Sequence, residues 1–371
     1  MTRRLALVLA LLAAAVAGGG FPVAGPSPSR AQMPSSRPVD GFAPAEHAGS
    51  AYKNVDPEYR RASYWARLHS LVTGGTWLVS EHRVAALPAG TPDWATLRGR
   101  SHAATVTWIG HSTVLVQLDG VTFLTDPNWN DRSGPFSGFI GVRRYTPPGI
   151  PLEALPRIDF VLISHDHYDH LDLPTVRTLL RTQTAPFVVP LGVGAHLERW
   201  QVPAERIVEL DWSEQVELGG ITLTSTAAQH FSGRLFARDG TLWSSWVLAG
   251  PLHRVFYTGD SGYFDGYAAI GAEYGPFDLT LVQIGAYSEA WPHIHMTPEE
   301  GVAAHLDLRG GLLVPVHWAT FTLAPHAWTD PVDRVWAEAK AHDVALAVPR
   351  PGERINVATP PSVDGWWQAL G

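Results

Sequence analysis

The stretch Ser164-His165-Asp166-His167-Tyr168-Asp169-His170 places three histidines and two aspartates directly after the apolar run Phe160-Val161-Leu162-Ile163. A run of four β-branched or apolar residues reads as a buried strand. Five strongly hydrated side chains at its end are costly to bury unless something holds them. His165 and His167 alternate by two, so an extended loop projects both to one side. Asp169 and His170 follow, where a turning backbone can aim them at a neighbouring point.

Three later segments end in the same way. His230 closes ITLTSTAAQH, Asp260 closes RVFYTGD and His317 closes GLLVPVH. A lone histidine at a strand end is most often a satisfied surface residue, and a lone aspartate a turn residue. Four strand ends of this kind, one carrying an HxHxDH spacing, point instead to a metal centre. One cation would take His165, His167 and His230, and a second Asp169, His170 and His317, with Asp260 bridging both. The chain has no cysteine, so thiolate ligands are excluded. Imidazole and carboxylate suit two Zn²⁺ ions, with iron or manganese accommodated by the same ligands. Such a pair acidifies a water and neutralises charge on a carbonyl or phosphoryl oxygen, which is hydrolytic chemistry. His111, in WIGHST, reads as supporting structure, and His196, His253, His305 and His342 read as helix or loop surface.

One feature favours phosphate. His295 stands two residues before Thr297, where Thr297-Pro298-Glu299-Glu300 is a capping-box pattern that starts a helix, and helix N-termini attract anions. Tyr168, between two ligands, can offer its hydroxyl to the same anion.

The surrounding pattern is α/β. Strands are expected at Thr105–Ile109, Thr113–Leu118, Val121–Thr125, Phe160–Ile163, Pro186–Pro190, Ile221–Ser225, Ser244–Leu248, Val255–Tyr257, Leu279–Ile284 and Leu312–Val316. Asp119-Gly120 forms a primed hairpin turn. Helices are expected at Pro174–Arg181 after Asp172, Pro298–Leu306 after Thr297 and Pro331–His342 after Asp330, with one or two more over residues 57–75. Many short strands followed by helices suggest two sheets covered by helices.

Length and composition agree with one large hydrolase domain over residues 57–371. Of the 371 residues, 45% are hydrophobic and 17% charged, an ordinary globular balance. Arg3 and Arg4 ahead of the apolar run Leu5–Ala17, then small residues, read as a secretory signal peptide over 1–31, and a Pro/Ser/Gly-rich lead follows over 32–56. The apolar run is short for a membrane span. The protein is therefore expected to be exported, periplasmic or secreted. Its formal charge is −8, and loss of Arg3, Arg4 and Arg30 with the leader makes it more acidic, which disfavours nucleic acid as a partner. The 15 tryptophans leave peripheral membrane contact open.

These residues resemble the metallo-β-lactamase superfamily, whose HxHxDH signature is SHDHYDHLD here. The ordered blocks WIGHSTVLVQLDGVTFLTDP, LISHDHYDHLD, VPLGV, ELDW, GDSGY, GPFDL, IGAY, HMTPEE and VHWATFTLA are similar to its N-acylphosphatidylethanolamine-hydrolysing phospholipase D branch, over roughly residues 105–330. The resemblance implies an αββα sandwich with two zinc ions. It places His165, His167, His230 and Asp260 around one ion and Asp169, His170, Asp260 and His317 around the other, with Tyr168 and His295 on the substrate phosphate. It implies Asp169, Asp260 and His295 as catalytic groups and a phospholipid as substrate. A lactonase or amide hydrolase on the same metals, and a non-enzymatic metal- or lipid-binding envelope protein, are the competing readings.

Overall fold

The computed structural model describes residues 43–49, 51–55, 97, 99, 101–138, 141–235 and 237–370. The signal-like segment, most of the 32–56 lead and the helices expected over 57–75 lie outside the described residues.

Two seven-stranded sheets make up the centre. The first contains β1 (Thr105–Gly110), β2 (Thr113–Leu118), β3 (Val121–Thr125), β4 (Phe160–Leu162), β5 (Phe187–Pro190) and β6 (Ile207–Leu210). The second contains β7 (Gln215–Leu218), β8 (Ile221–Thr226), β9 (Ser245–Ala249), β10 (Arg254–Tyr257), β11 (Phe277–Gln283), β12 (Gly310–Val316) and β13 (Ala345–Leu346), and β14 (Arg354–Asn356) returns to the first beside β1. Their spatial orders are β6-β5-β4-β3-β2-β1-β14 and β7 through β13 in sequence.

Side-chain alternation builds the layers. Val114, Val116, Phe123, Phe160, Leu162 and Val188 point into the core between the sheets. Their neighbours Leu115, Leu124, Val161, Ile163, Phe187 and Val189 point out, onto Val176 and Leu179 of α1 (Leu173–Thr182) and Leu197 of α2 (Gly194–Arg199). This is the period of two that a strand imposes. Phe123 and Phe160 stack with centroids 4.9 Å apart, and each fully buried ring contributes roughly 1.5–3 kcal/mol. On the far face of the second sheet lie α3 (Gly266–Tyr274), α4 (Pro298–Asp307) and α5 (Asp330–Ala341), which bury Ile270, Val302, Val332 and Val335. The layers are helix, sheet, sheet, helix, the expected αββα sandwich.

Strand direction decides where the chemistry falls. In the first sheet β1, β3 and β4 run the same way, because β1–β2 and β2–β3 are antiparallel and β3–β4 parallel. In the second, β8, β10 and β12 run the same way. The C-terminal ends of these six strands carry His111, Asp126, the His165–His170 motif, His230, Asp260 and His317.

Several local expectations hold. The β2–β3 turn has positive φ at Asp119 and Gly120, 51° and 87°, as a type I′ turn requires. Asp172 caps α1 by accepting from the Thr175 amide, and Thr297 with Glu300 forms the complete capping box of α4. Others are corrected. Asp330 does not cap α5: Thr329 occupies that position with no side-chain bond, and the Asp330 carboxylate instead takes the Tyr287 hydroxyl. His305 is not on the surface but buried, its Nδ1 2.7 Å from Thr280 Oγ1.

Candidate metal centre

Asp260 follows Gly259, whose φ is +56° and where a Cβ would lie 2.6 Å from Ser164 Cβ. Only glycine allows the two sheets to approach this closely here. The approach puts one carboxylate oxygen, Asp260 Oδ2, among imidazoles from both sheets. It lies 3.0 Å from His317 Nε2, 3.1 Å from His170 Nε2, 3.8 Å from His230 Nε2 and 3.9 Å from His165 Nε2.

Two nests flank that oxygen. In the first, His167 Nδ1 lies 2.8 Å from His165 Nε2 and 3.3 Å from His230 Nε2. In the second, Asp169 Oδ2 lies 3.3 Å from His170 Nε2 and 3.4 Å from His317 Nε2. All seven expected ligands are thus gathered at one place, and the donor atoms of each nest lie within 4.8 Å of one another. The fit to a cation can be tested on geometry. Zn–N bonds of about 2.0–2.1 Å at tetrahedral angles set ligand nitrogens roughly 3.3 Å apart, close to what the first nest shows. In the second, His170 Nε2, His317 Nε2 and Asp260 Oδ1 are buried and form no hydrogen bond. Buried polar atoms left this way are expensive unless an ion occupies the space between them.

Supporting groups fix which nitrogen faces inward. His230 Nδ1 lies 2.9 Å from the Ile294 carbonyl and so must carry the proton, which leaves Nε2 unprotonated for a ligand. His170 Nδ1 lies 2.6 Å from Asp126 Oδ2. The same carboxylate accepts from the Ser164 amide and hydroxyl at 2.7 and 2.5 Å and from the Tyr257 hydroxyl. His111 Nε2 lies 2.9 Å from Asp169 Oδ2. Asp126, His111 and His317 have φ of 34°, 54° and 63°, uncommon values for residues with a Cβ. Such backbone settings concentrate at functional sites. Arg234 braces the motif from outside: its Nη1 donates to the carbonyls of Asp166 and Leu171 at 2.6 and 2.8 Å.

The charges divide between the nests. Burial and neighbouring imidazoles push His165 and His230 well below the ordinary histidine value, so both are neutral. Burial also lowers His170 and His317, but the carboxylates of Asp260 and Asp169 outweigh it, raising His170 well above its usual value and His317 to about 9. Burial would raise Asp169 and Asp260, yet the facing imidazoles hold both well below the carboxylate range. Two ionised carboxylates therefore demand positive charge in the second nest, which protons supply when cations do not.

Of the two substrate candidates, His295 joins the cluster. Its Nδ1 lies 4.0 Å from Asp260 Oδ2, and its ring stands 5.1 Å from that of His230 and 5.2 Å from that of His317. The reason expected for its role needs correction. The N-terminus of α4 is closed by its capping box and carries Glu299 and Glu300 in its first turn, so its orphan amides offer no anion site. Tyr168 is half-buried with its ring 4.0 Å beneath the Arg234 guanidinium and the Leu235 backbone N–H at its hydroxyl. His111 takes the supporting place that the sequence suggests for it, on Asp169, whereas the sequence offers no such role for Asp126 or Arg234. The one signal for Asp126 was its place at the end of VTFLTDP, another strand closing on an acid.

The sequence profile of the β-lactamase superfamily domain matches residues 122–318. The chain belongs to the metallo-β-lactamase superfamily. It is a metal-dependent hydrolase of that superfamily. It is 47% identical over 351 residues to an uncharacterised protein of Mycobacterium tuberculosis, covering 92% of both chains. It is 40% identical over 230 residues to N-acyl-phosphatidylethanolamine-hydrolyzing phospholipase D 1 of Caenorhabditis elegans, covering 58% of this chain and 64% of that one. Among solved structures, a metallo hydrolase from the archaeon Ignicoccus hospitalis superposes with a TM-score of 0.52 at 22% identity, over 68% of this chain and 97% of that one. That likeness supports the superfamily fold.

Proposed function

We propose that this metallo-β-lactamase-fold protein is an exported dizinc phosphodiesterase that cleaves an N-acylphosphatidylethanolamine-like lipid in the manner of a phospholipase D. The observation that carries the dinuclear reading is Asp260 Oδ2 standing 3.0–3.9 Å from four imidazole nitrogens of two separate nests. His165, His167 and His230 would hold one cation and Asp169, His170 and His317 the other, with the Asp260 carboxylate within reach of both nests. Two zinc ions held there would supply an acidified water and stabilise charge on a phosphoryl oxygen.

The chain's own residues orient and enclose the reaction. Asp126 and the Ile294 carbonyl keep His170 and His230 in the ligand tautomer. Phe231 packs on His167 and His230 with centroids 4.4 and 4.8 Å away, and Phe321 stands edge-on to His111 at 5.2 Å, so apolar walls exclude bulk water. Burial holds His295 down to about 3, so it is a neutral imidazole that can donate one N–H to an anionic oxygen. The phospholipid class rests on the 40% identity to the Caenorhabditis elegans enzyme, and the acidic balance of the chain disfavours nucleic acid as the alternative phosphodiester.

No helix among the described residues is long and apolar enough to cross a membrane, so contact with lipid is peripheral in this reading. Leu235, beside the Tyr168 hydroxyl, is 56% exposed, and Phe136 is 54% exposed. Exposed apolar side chains of this size suit an interface with lipid.

The test is mass spectrometry of lipid extracts incubated with zinc-loaded protein and with its His317→Ala variant. The reading expects N-acylethanolamine and phosphatidate to accumulate only with the unmodified protein. Untouched lipids, with a lactone or amide hydrolysed instead, would reassign the site to that chemistry.

A further inference from the structure

Arg238 lies on the loop that follows His230, and its guanidinium rests 4.6 Å over the ring of Phe231. Phe231 is itself packed against His167 and His230, so one aromatic ring separates this cation from the first nest. Its Nε and Nη2 are buried and have no hydrogen-bond partner. The other arginines near the site are more fully engaged. Arg234 donates to the carbonyls of Asp166 and Leu171, and its guanidinium lies over the Tyr168 and Trp200 rings. Arg144 donates from Nε and Nη2 to the carbonyls of Asn130 and Asn128, which leaves only Nη1 buried without a partner, against two nitrogens of Arg238.

A guanidinium with two unpartnered donor nitrogens is unfavourably placed until an acceptor arrives. The acceptor best matched to its fork is a phosphate, which can take two parallel N–H bonds. We infer that Arg238 is a substrate-binding residue, which leaves its resting place on Phe231 to take a non-bridging oxygen of a phosphate ester bound at the metal centre. The inference rests on the phosphodiesterase reading and adds to it the residue that selects for the anion. Arg238 makes no contact with a ligand atom of either nest, so its removal leaves the cations and the fold in place.

Calorimetry on zinc-loaded protein, with diethyl phosphate and with inorganic phosphate as separate probes, tests this. Arg238→Gln is expected to weaken both about tenfold, the scale of one charge-assisted hydrogen bond. Arg238→Lys, which keeps the charge without the fork, falls between. Arg181→Gln, an exposed cation on α1, binds as the parent does. Zinc content and thermal midpoint stay unchanged in all three. Loss for inorganic phosphate alone would assign Arg238 to free phosphate and overturn its role toward an ester. Equal binding by Arg238→Gln and the parent, no binding by the parent, or an equal loss in Arg181→Gln would also overturn the inference. The kinetic arm separates it from the broader reading. With bis(4-nitrophenyl) phosphate, Arg238→Gln should raise KM with little change in kcat. A parent that binds diethyl phosphate through Arg238 but hydrolyses no phosphodiester would retain the inference and sink the proposed function.

Discussion

His170 Nδ1 stands 2.6 Å from Asp126 Oδ2, and both side chains are fully enclosed. The contact joins the end of β3 to the motif after β4, and it determines which imidazole nitrogen of His170 faces Asp260. Partners of this kind tune metal sites nearly as strongly as the ligands do. Asp126→Asn keeps the shape but removes the charge, and is expected to weaken the second cation by about 10- to 100-fold. Competition with a chelator, read as two separable binding steps, checks it. Loss confined to one step supports the assignment of nests, and equal loss at both contradicts it.

Removing metal should cost stability as well as activity. Asp169 and Asp260 are buried carboxylates among imidazoles, and a cation that binds only the folded chain stabilises it by mass action. At a thousandfold excess over Kd this amounts to about 4 kcal/mol, or roughly 5–10 °C in Tm. Scanning calorimetry before and after chelation, with restoration by zinc, is the measurement. An unchanged Tm would mean that the cluster holds its charge without ions.

The two features around His295 can be separated. Thr297→Ala removes the cap of α4 and should cost about 1 kcal/mol of stability, with KM for an anionic substrate unchanged. His295→Ala should lower kcat/KM for a phosphodiester by about 10- to 100-fold, as expected for a lost donor to developing charge. If the cap variant showed the kinetic defect, the helix terminus would be the anion site after all.

At the opposite end of the sandwich, Asp119 clasps the two sheets together. Its carboxylate accepts from the amides of Leu252 and His253 at 2.9 and 3.1 Å, and lies 2.6 Å from His253 Nδ1. Burial alone would raise its pKa, but these bonds hold it below the usual carboxylate value. A carboxyl group depressed in the folded state adds stability above its unfolded pKa and loses it as pH falls through the folded one. Asp119→Asn is therefore expected to be less stable by roughly 1–2 kcal/mol at pH 7. The gap should close once pH drops below the carboxylate range. Chemical denaturation across that range checks the sign. A gap that widened on acidification would contradict it.

Much of this was legible because strands announce themselves by β-branched runs and because a metal site concentrates unlike residues at their ends. The runs at Thr113–Leu118 and Val121–Thr125 coincide with the strands formed. The strands Ile207–Leu210 and Gln215–Leu218 escaped notice because they carry Glu209 and Glu217 and are only half-buried. A short strand with one wet face resembles a loop. Helix α3, GYAAIGAEY, has no polar face to give it a helical period, and its place depends on Gly271 lying against the Asp307 backbone. At the site, the ligands could be recognised by type and spacing. His111 could be read as a support but not matched to Asp169, and Asp126 and Arg234 could not be read at all, because each acts through a residue distant in the sequence that only the folded chain brings near.

The central claim is that seven side chains from both sheets hold two cations. Metal content of the purified, folded protein, determined by elemental mass spectrometry alongside His230→Ala and His317→Ala, tests it most directly. The account predicts about two equivalents in the parent and about one in each variant, with circular dichroism unchanged. A folded parent that retains no metal after zinc loading, or variants that retain both ions, would contradict it.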